Sequence, residues 1–143
     1  MKIRELMTDS VIKIQAEETV EVAARAMARY NIGAAPVCGS GGNLCGMVTD
    51  RDLVTRCLAA GKDPAVTKVR DVMTSSLVTA APEMEISAAA HLMGRKQIRR
   101  LPVVENGKLC GMVSLGDLAA REETSYDASD ALSMISGNVS VRD

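Results

Sequence analysis

The chain has no phenylalanine and no tryptophan, and Tyr30 and Tyr126 are its only aromatic rings besides His91. Without aromatic side chains, no stacking platform for unpaired bases can be assembled. An excess of one charge is lacking too. Seventeen basic residues stand against 18 acidic ones, a formal net charge of -1 that supplies no global field toward nucleic acid or an anionic membrane surface. Long apolar runs are missing as well: residues 1–16, MKIRELMTDSVIKIQA, interrupt every hydrophobic stretch with charge. Neither a secretory leader nor a membrane span is expected, and the chain reads as cytoplasmic. The four cysteines, Cys38, Cys45, Cys57 and Cys110, include no C-x-x-C pair, and the single histidine gives them no nitrogen ligand at zinc-site spacing. A structural metal is not expected, and the thiols should be reduced. Nothing in the sequence supplies His91 with a catalytic partner, so it reads as a helix-face residue and the chain as a non-enzyme.

What the chain does have is aliphatic. Hydrophobic residues make up 47% and include nine Met, enough for a core of Ala, Val, Ile, Leu and Met. A length of 143 residues suits one compact domain or two small, closely packed repeats. Self-comparison points to repeats. Ile3-Arg4-Glu5-Leu6-Met7-Thr8 returns 66 residues later as Val69-Arg70-Asp71-Val72-Met73-Thr74. The register continues through Ala23, Ala24 and Met27 against Ala89, Ala90 and Met93, and through Ile32, Pro36 and Val37 against Ile98, Pro102 and Val103. One loop residue is then lost, and Leu44-Cys45-Gly46-Met47-Val48 matches Leu109-Cys110-Gly111-Met112-Val113 at a spacing of 65. Two copies of so long a unit do not make a solenoid, so a pseudo-twofold pair is expected, with repeats over 1–61 and 69–121, a linker over 62–68 and a tail over 122–143.

Each repeat reads as strand, helix, strand, strand, helix. Val11-Ile12-Lys13-Ile14 is β-branched and bounded by polar residues, which suits a short strand. Thr19 is placed to cap a helix whose apolar residues Val20, Ala23, Ala24, Met27 and Ala28 follow helical spacing, and Ile86, Ala89, Ala90 and Met93 repeat that stripe. Leu101-Pro102-Val103-Val104 and Leu109 to Val113 flank Asn106-Gly107, a dipeptide suited to the positive φ angles of a tight hairpin. The run Gly39-Ser40-Gly41-Gly42-Asn43 joins two strands without opening a helix, so it reads as a turn and not as a phosphate loop. A second helix is expected from about Asp50 to Ala60, stopped by Gly61. Pro64 in the linker discourages its continuation. In the tail, Ala131 to Ile135 suits a short helix that docks on a partner or a second copy.

The chemistry sits where the last strand of each repeat meets its last helix. Gly46-Met47-Val48-Thr49-Asp50-Arg51-Asp52 and Gly111-Met112-Val113-Ser114-Leu115-Gly116-Asp117 share the pattern G-h-h-[ST]-x-x-D. Thr49 and Ser114 suit N-caps, with an acid three residues on. The same geometry offers a hydroxyl and free N–H groups to phosphate and a carboxylate to ribose diols, so capping and ligand binding are compatible. Arg95, Lys96, Arg99 and Arg100 form a basic cluster, either a solvated helix end or a phosphate contact.

The repeated Met-Thr lead-ins, the Ile32-to-Val37 and Ile98-to-Val103 segments, and both G-h-h-[ST]-x-x-D motifs together resemble the tandem CBS domain pair, or Bateman module, over residues 1–121. The resemblance implies an α/β (α+β) fold of two β-α-β-β-α repeats packed sheet to sheet with pseudo-twofold symmetry. It implies a homodimer and two clefts for adenosine-containing ligands such as AMP, ADP or ATP. Carried over by position, Asp52 and Asp117 would hold ribose hydroxyls, with Thr49 and Ser114 near ribose or phosphate. Adenine would lie among Val11, Ile12, Ala35 and Pro36 in one cleft and Leu77, Val78, Leu101 and Pro102 in the other. Arg99 and Arg100 would meet phosphate where the first repeat has Gly33-Ala34, so the clefts should differ in their preference for charge. No cofactor is obligatory, and magnesium would accompany phosphates. The alternatives are a thiol redox sensor using the equivalent Cys45 and Cys110, and an interaction scaffold without a ligand. The sequence names no downstream protein target.

Overall fold

The structure, a computed structural model, describes residues 1–137. It has two compact units. One comprises Val11–Leu77 with Gly107–Leu109, and the other comprises Met1–Ser10, Val78–Asn106 and the chain from Cys110 onward.

The first unit holds β1 (Ile14–Gln15), α1 (Val20–Tyr30), β2 (Ala34–Cys38), β3 (Leu44–Thr49) and α2 (Asp50–Leu53). Its sheet has the order β1-β2-β3, with β1 parallel and β3 antiparallel to β2. Thr19 caps α1 as its position predicts, accepting the Val22 N–H at 3.3 Å. Asn31 closes the helix in the left-handed region at φ 53°. Ala35, Val37 and Val48 point from the sheet into a core with Ile14, Val20, Ala23, Met27, Leu53 and Cys57. The strand expected over Val11 to Ile14 is shorter, because Lys13 is exposed, Ile14 alone of the four is buried in the core, and a turn closes at once, Glu18 N–H to Gln15 O at 3.0 Å. The helix expected over Asp50 to Ala60 leaves α-geometry after Leu53. Val54–Leu58 form a π-turn in which the Ala59 N–H reaches back to Val54 O at 2.8 Å, and Gly61, at φ 74°, ends it.

The second unit holds α3 (Ile86–Lys96), β4 (Arg100–Glu105), β5 (Lys108–Ser114) from Cys110 onward, α4 (Leu115–Ala119) and α5 (Glu122–Gly137). β4 and β5 form the expected hairpin, with Asn106 and Gly107 at φ 54° and 78°. Its third strand is reduced to one parallel bridge, Ala80 to Val103, the counterpart of Ile14 to Val37 in the first sheet. The expected pair of three-stranded sheets is thus one three-stranded and one two-stranded sheet.

The lead-in of each repeat belongs to the unit built around the other. Val69 and Val72 are fully buried in the first core, and Met47 and Thr74 exchange backbone hydrogen bonds at 2.9 and 2.8 Å. Ile3 is fully buried in the second core, and Thr8 and Met112 make the matching exchange at 2.8 and 2.9 Å. Gly46 and Gly111 permit these approaches, since each presents bare backbone to the incoming Met-Thr pair.

The tail differs most from its reading in the sequence. α5 is a 16-residue helix, where a short one over Ala131 to Ile135 was expected, and it docks on α3 and α4 of its own unit, burying Ala128, Ala131 and Ile135. Thr124 secures its start by donating from Oγ1 to Leu118 O at 2.6 Å. Gly94 of α3 lets the helices touch, Ala131 Cα lying 3.1 Å from where a Cβ on residue 94 would stand.

Candidate functional site

The two G-h-h-[ST]-x-x-D motifs fold alike. In the first unit, Thr49 Oγ1 accepts the Asp52 N–H at 3.1 Å while Asp52 Oδ2 accepts the Thr49 N–H at 2.9 Å. In the second, Ser114 Oγ and Asp117 Oδ2 make the same two bonds at the same distances. Each is a capping box, formed because a hydroxyl and a carboxylate three residues apart satisfy donors that the helix start leaves open. The box uses one oxygen of each carboxylate, Oδ2, and leaves Oδ1 outside it.

That second oxygen distinguishes the sites. Asp52 Oδ1 faces Arg56 Nε at 3.7 Å, an arginine that also donates to Val72 O and Met73 O. The equivalent Arg121 donates instead to Glu5 O at 3.5 Å, and among the described residues no cation pairs with Asp117. The second-repeat carboxylate is therefore the more open acceptor.

The apolar site residues divide by face. Ala35 and Leu101 are fully buried members of their own cores, so only their backbones can meet a base. Pro36 and Pro102 follow them on the opposite face of their strands and are also buried. Val11 and Ile12 are half-buried in the first unit; Leu77 and Val78, also half-buried, fall in different units, Leu77 ending one stretch and Val78 beginning the next. Arg99 and Arg100 are exposed at the start of β4. Nothing in the sequence pointed to a pocket of about 350 Å3 lined by Arg99, Leu115 and Gly116 together with residues of α5. Leu115 and Gly116 fill the two unassigned positions of the motif, between Ser114 and Asp117.

Two of the thiols are held away from the thiolate form. Burial pushes the Cys38 thiol up, with Lys13 partly opposing and Cys45 adding to the rise, and burial followed by the Glu105 charge pushes Cys110 up. Cys110 Sγ also donates to Val103 O at 3.2 Å. Among the described residues, no three His, Cys, Asp or Glu side chains gather to hold a metal ion, and no helix is long and apolar enough to cross a membrane. His91 is an exposed residue of α3.

The CBS domain model matches the chain twice, over residues 3–59 and 69–123. The chain belongs to the CBS domain family. It is similar to the CBS domain-containing protein YhcV of Bacillus subtilis, 41% identical over 134 residues, which are 94% of each chain. Hypoxic response protein 1 of Mycobacterium tuberculosis is 35% identical over 81% of each. The solved structure of Hypoxic Response Protein I, with two coordinated zinc ions, superposes with a TM-score of 0.78 at 33% identity, covering 85% of this chain and 98% of that one. CBSX2, solved in complex with AMP, superposes at 0.71 with 26% identity over 81% of this chain and 91% of that one. The mixed α/β fold is accordingly that of a CBS pair, and the two motifs lie at matching places in its two CBS domains.

Proposed function

We propose that this CBS pair is a regulatory protein that binds adenine nucleotides, AMP, ADP or ATP, one at each G-h-h-[ST]-x-x-D motif. The observation that carries this reading is the duplicated capping box, in which Asp52 and Asp117 are each held by a backbone N–H through one oxygen and keep the other outside the box. Such a fixed acceptor suits a ribose diol, whose two hydroxyls donate to one carboxylate at no cost in side-chain ordering. The AMP complex of CBSX2 supports the class of ligand. Thr49 and Ser114 border the ribose; Val11, Ile12, Pro36 and the Ala35 backbone take the base at the first motif, and Val78, Pro102 and the Leu101 backbone take it at the second. Arg99 and Arg100 attract phosphate to the second-repeat site, while Arg56 competes with a ligand for Asp52 in the first.

Calorimetric titration of ligand-free protein with AMP, ADP and ATP, with and without magnesium, tests this. Micromolar binding is expected, with one site lost in Asp52→Ala and the other in Asp117→Ala while circular dichroism stays unchanged. No heat with any of the three from folded, ligand-free protein would overturn the reading.

We also read the protein as a homodimer in the cytoplasm. Ala24, Ala28, Val54 and Leu58 stand exposed on α1 and the turn after α2, whereas Ala90 and Gly94, the second-repeat counterparts of the two alanines, are covered by α5. Sedimentation at twice the chain mass is the expected result, and Leu58→Glu should return the monomer mass. A monomer at all concentrations would remove this assembly.

A further inference from the structure

Two of the four cysteines meet at one end of the first sheet. β2 and β3 pair in regular register from Ala34 with Thr49 to Val37 with Gly46, and then Cys38 pairs with Leu44, which leaves Cys45 as an extra residue on β3. This is a β-bulge, in which two residues of one strand, Leu44 and Cys45, oppose one residue of the other, Cys38. Val37 belongs to the first core, so Cys38, next along the strand, takes the opposite face with Pro36. Cys45 lies two residues before Met47, the partner of Pro36, and takes that face as well. Its sulfur reaches the end of β2, where a Cβ on Gly39 would stand 3.1 Å from Cys45 Sγ. Residues opposed across antiparallel strands have Cα atoms about 4.5–5.5 Å apart, within the span of about 4.4–6.8 Å that a disulfide bridges.

The second repeat lacks this arrangement. Cys110 is the counterpart of Cys45, but Val104 stands where the first repeat has Cys38, and the Cys110 thiol donates to Val103 O at 3.2 Å. Cys110 also belongs to the other unit, so the thiol that shares a sheet with Cys45 is Cys38. The two thiols of the pair differ in access: Cys38 is fully buried, whereas Cys45 is half-buried and makes only a long bond from Sγ to Asn43 O, 3.6 Å. The turn between them has room to adjust, because a Cβ on Gly41 or Gly42 would meet nothing within 4 Å among the described residues.

We propose that Cys38 and Cys45 are a redox pair that an oxidant of the hydroperoxide class closes into a disulfide and a dithiol reductant reopens. Cys45, the more accessible thiol, reacts first. Its thiolate attacks one peroxide oxygen, the O–O bond breaks, and the displaced oxygen takes a proton and leaves as water or an alcohol, so that Cys45 becomes a sulfenic acid. The Cys38 sulfur then attacks the Cys45 sulfur; the S–S bond forms, the S–O bond breaks, and the departing hydroxide leaves as water with the Cys38 proton. Two thiols thereby give two electrons and two protons to one hydroperoxide. The bond ties off the turn over residues 39–43 on the sheet face that carries Pro36, and the inference is independent of the nucleotide reading.

The test is hydrogen peroxide added to the reduced whole chain, followed by alkylation and tryptic mapping. No Lys or Arg lies between Arg29 and Arg51, so both thiols fall in one peptide, residues 30–51. One equivalent of peroxide should cost that peptide two hydrogens and both of its alkylation sites, while the peptides holding Cys57 and Cys110 stay alkylated, and dithiothreitol should restore the lost sites. Cys45→Ser, at the half-buried position, should abolish the loss with circular dichroism unchanged, and Cys110→Ser should leave it intact. Cys38→Ala should halt the reaction at a Cys45 sulfenic acid that dimedone traps. A cross-link between Cys45 and Cys110, a Cys45 sulfinic acid in the native chain with Cys38 still alkylated, or four alkylated thiols after excess peroxide would each overturn the pair.

Discussion

Replacing Gly111 with alanine is expected to lower the free energy of unfolding by about 3 kcal/mol, a large effect for one methyl group. Gly111 has no positive φ to preserve, so the cost is one of space. The new Cβ would stand 2.8 Å from Met7 Sδ and 2.8 Å from Thr8 O. The thioether can swing away, but the carbonyl is main chain and already accepts the Met112 N–H. Relief requires the first ten residues to withdraw, which lengthens both Thr8 to Met112 hydrogen bonds and loosens fully buried Ile3. Two hydrogen bonds at about 1 kcal/mol each and partial loss of an isoleucine side chain give the figure. Gly46→Ala should cost a similar amount in the other unit, where the Cβ would stand 2.7 Å from Thr74 O. Urea unfolding should show a lower midpoint with an unchanged slope. The control is Gly116→Ala, whose nearest neighbour would be Ser114 Oγ at an ordinary 3.6 Å, and which should hold or slightly raise stability. Equal midpoints for Gly111→Ala and Gly116→Ala would show that the lead-in is not pinned there.

Gly94→Leu should release α5. Its Cβ alone would stand 2.8 Å from Met134 Sδ and 3.1 Å from Ala131 Cα, and the rest of the side chain would extend into the facing backbone. Helices this close cannot separate by a fraction of an ångström without losing the contacts of Ala128, Ala131 and Ile135 along the whole interface. A loss of about 3 kcal/mol is expected, with Ala90 and Met93 of α3 newly wetted. Trypsin should then cut at exposed Arg121, between α4 and α5, well before it cuts the native protein. Equal resistance in the variant and the native chain would mean that α5 is held by contacts other than this one.

Local signals in the sequence carried much of the fold. Asn106-Gly107 announces a hairpin because few residue pairs tolerate two successive positive φ angles. Thr49 to Asp52 and Ser114 to Asp117 announce helix starts because the partners lie within four residues. Elements that depend on distant partners were less legible. β1 is short because pairing with β2 holds only two residues in register, Ile14 with Val37 and Gln15 with Cys38. The seating of each Met-Thr lead-in against a strand from the other repeat joins segments far apart in the chain, and the only trace was that Met7-Thr8 and Gly111 recur as Met73-Thr74 and Gly46. The α5 reading failed on length, because Thr124, Ala128 and Ala131 look unremarkable until α3 and α4 are seen beneath them. The proposed site residues rest on the motif and the family resemblance, whereas the pocket between α4 and α5 was not legible, because α5's part in it is visible only once the helix is placed.

The exchanged lead-ins also bear on how the chain is completed during synthesis. The unit around the first repeat includes residues up to Leu77, so it cannot close when residue 61 leaves the ribosome; Val69, Val72 and the Met73-Thr74 pair must follow. The first ten residues meanwhile have no seat until β5 emerges with Gly111 and Met112. Residues 1–10, made before either sheet, thus wait for a strand of the second repeat before they pack, and each half becomes whole only by borrowing from the other.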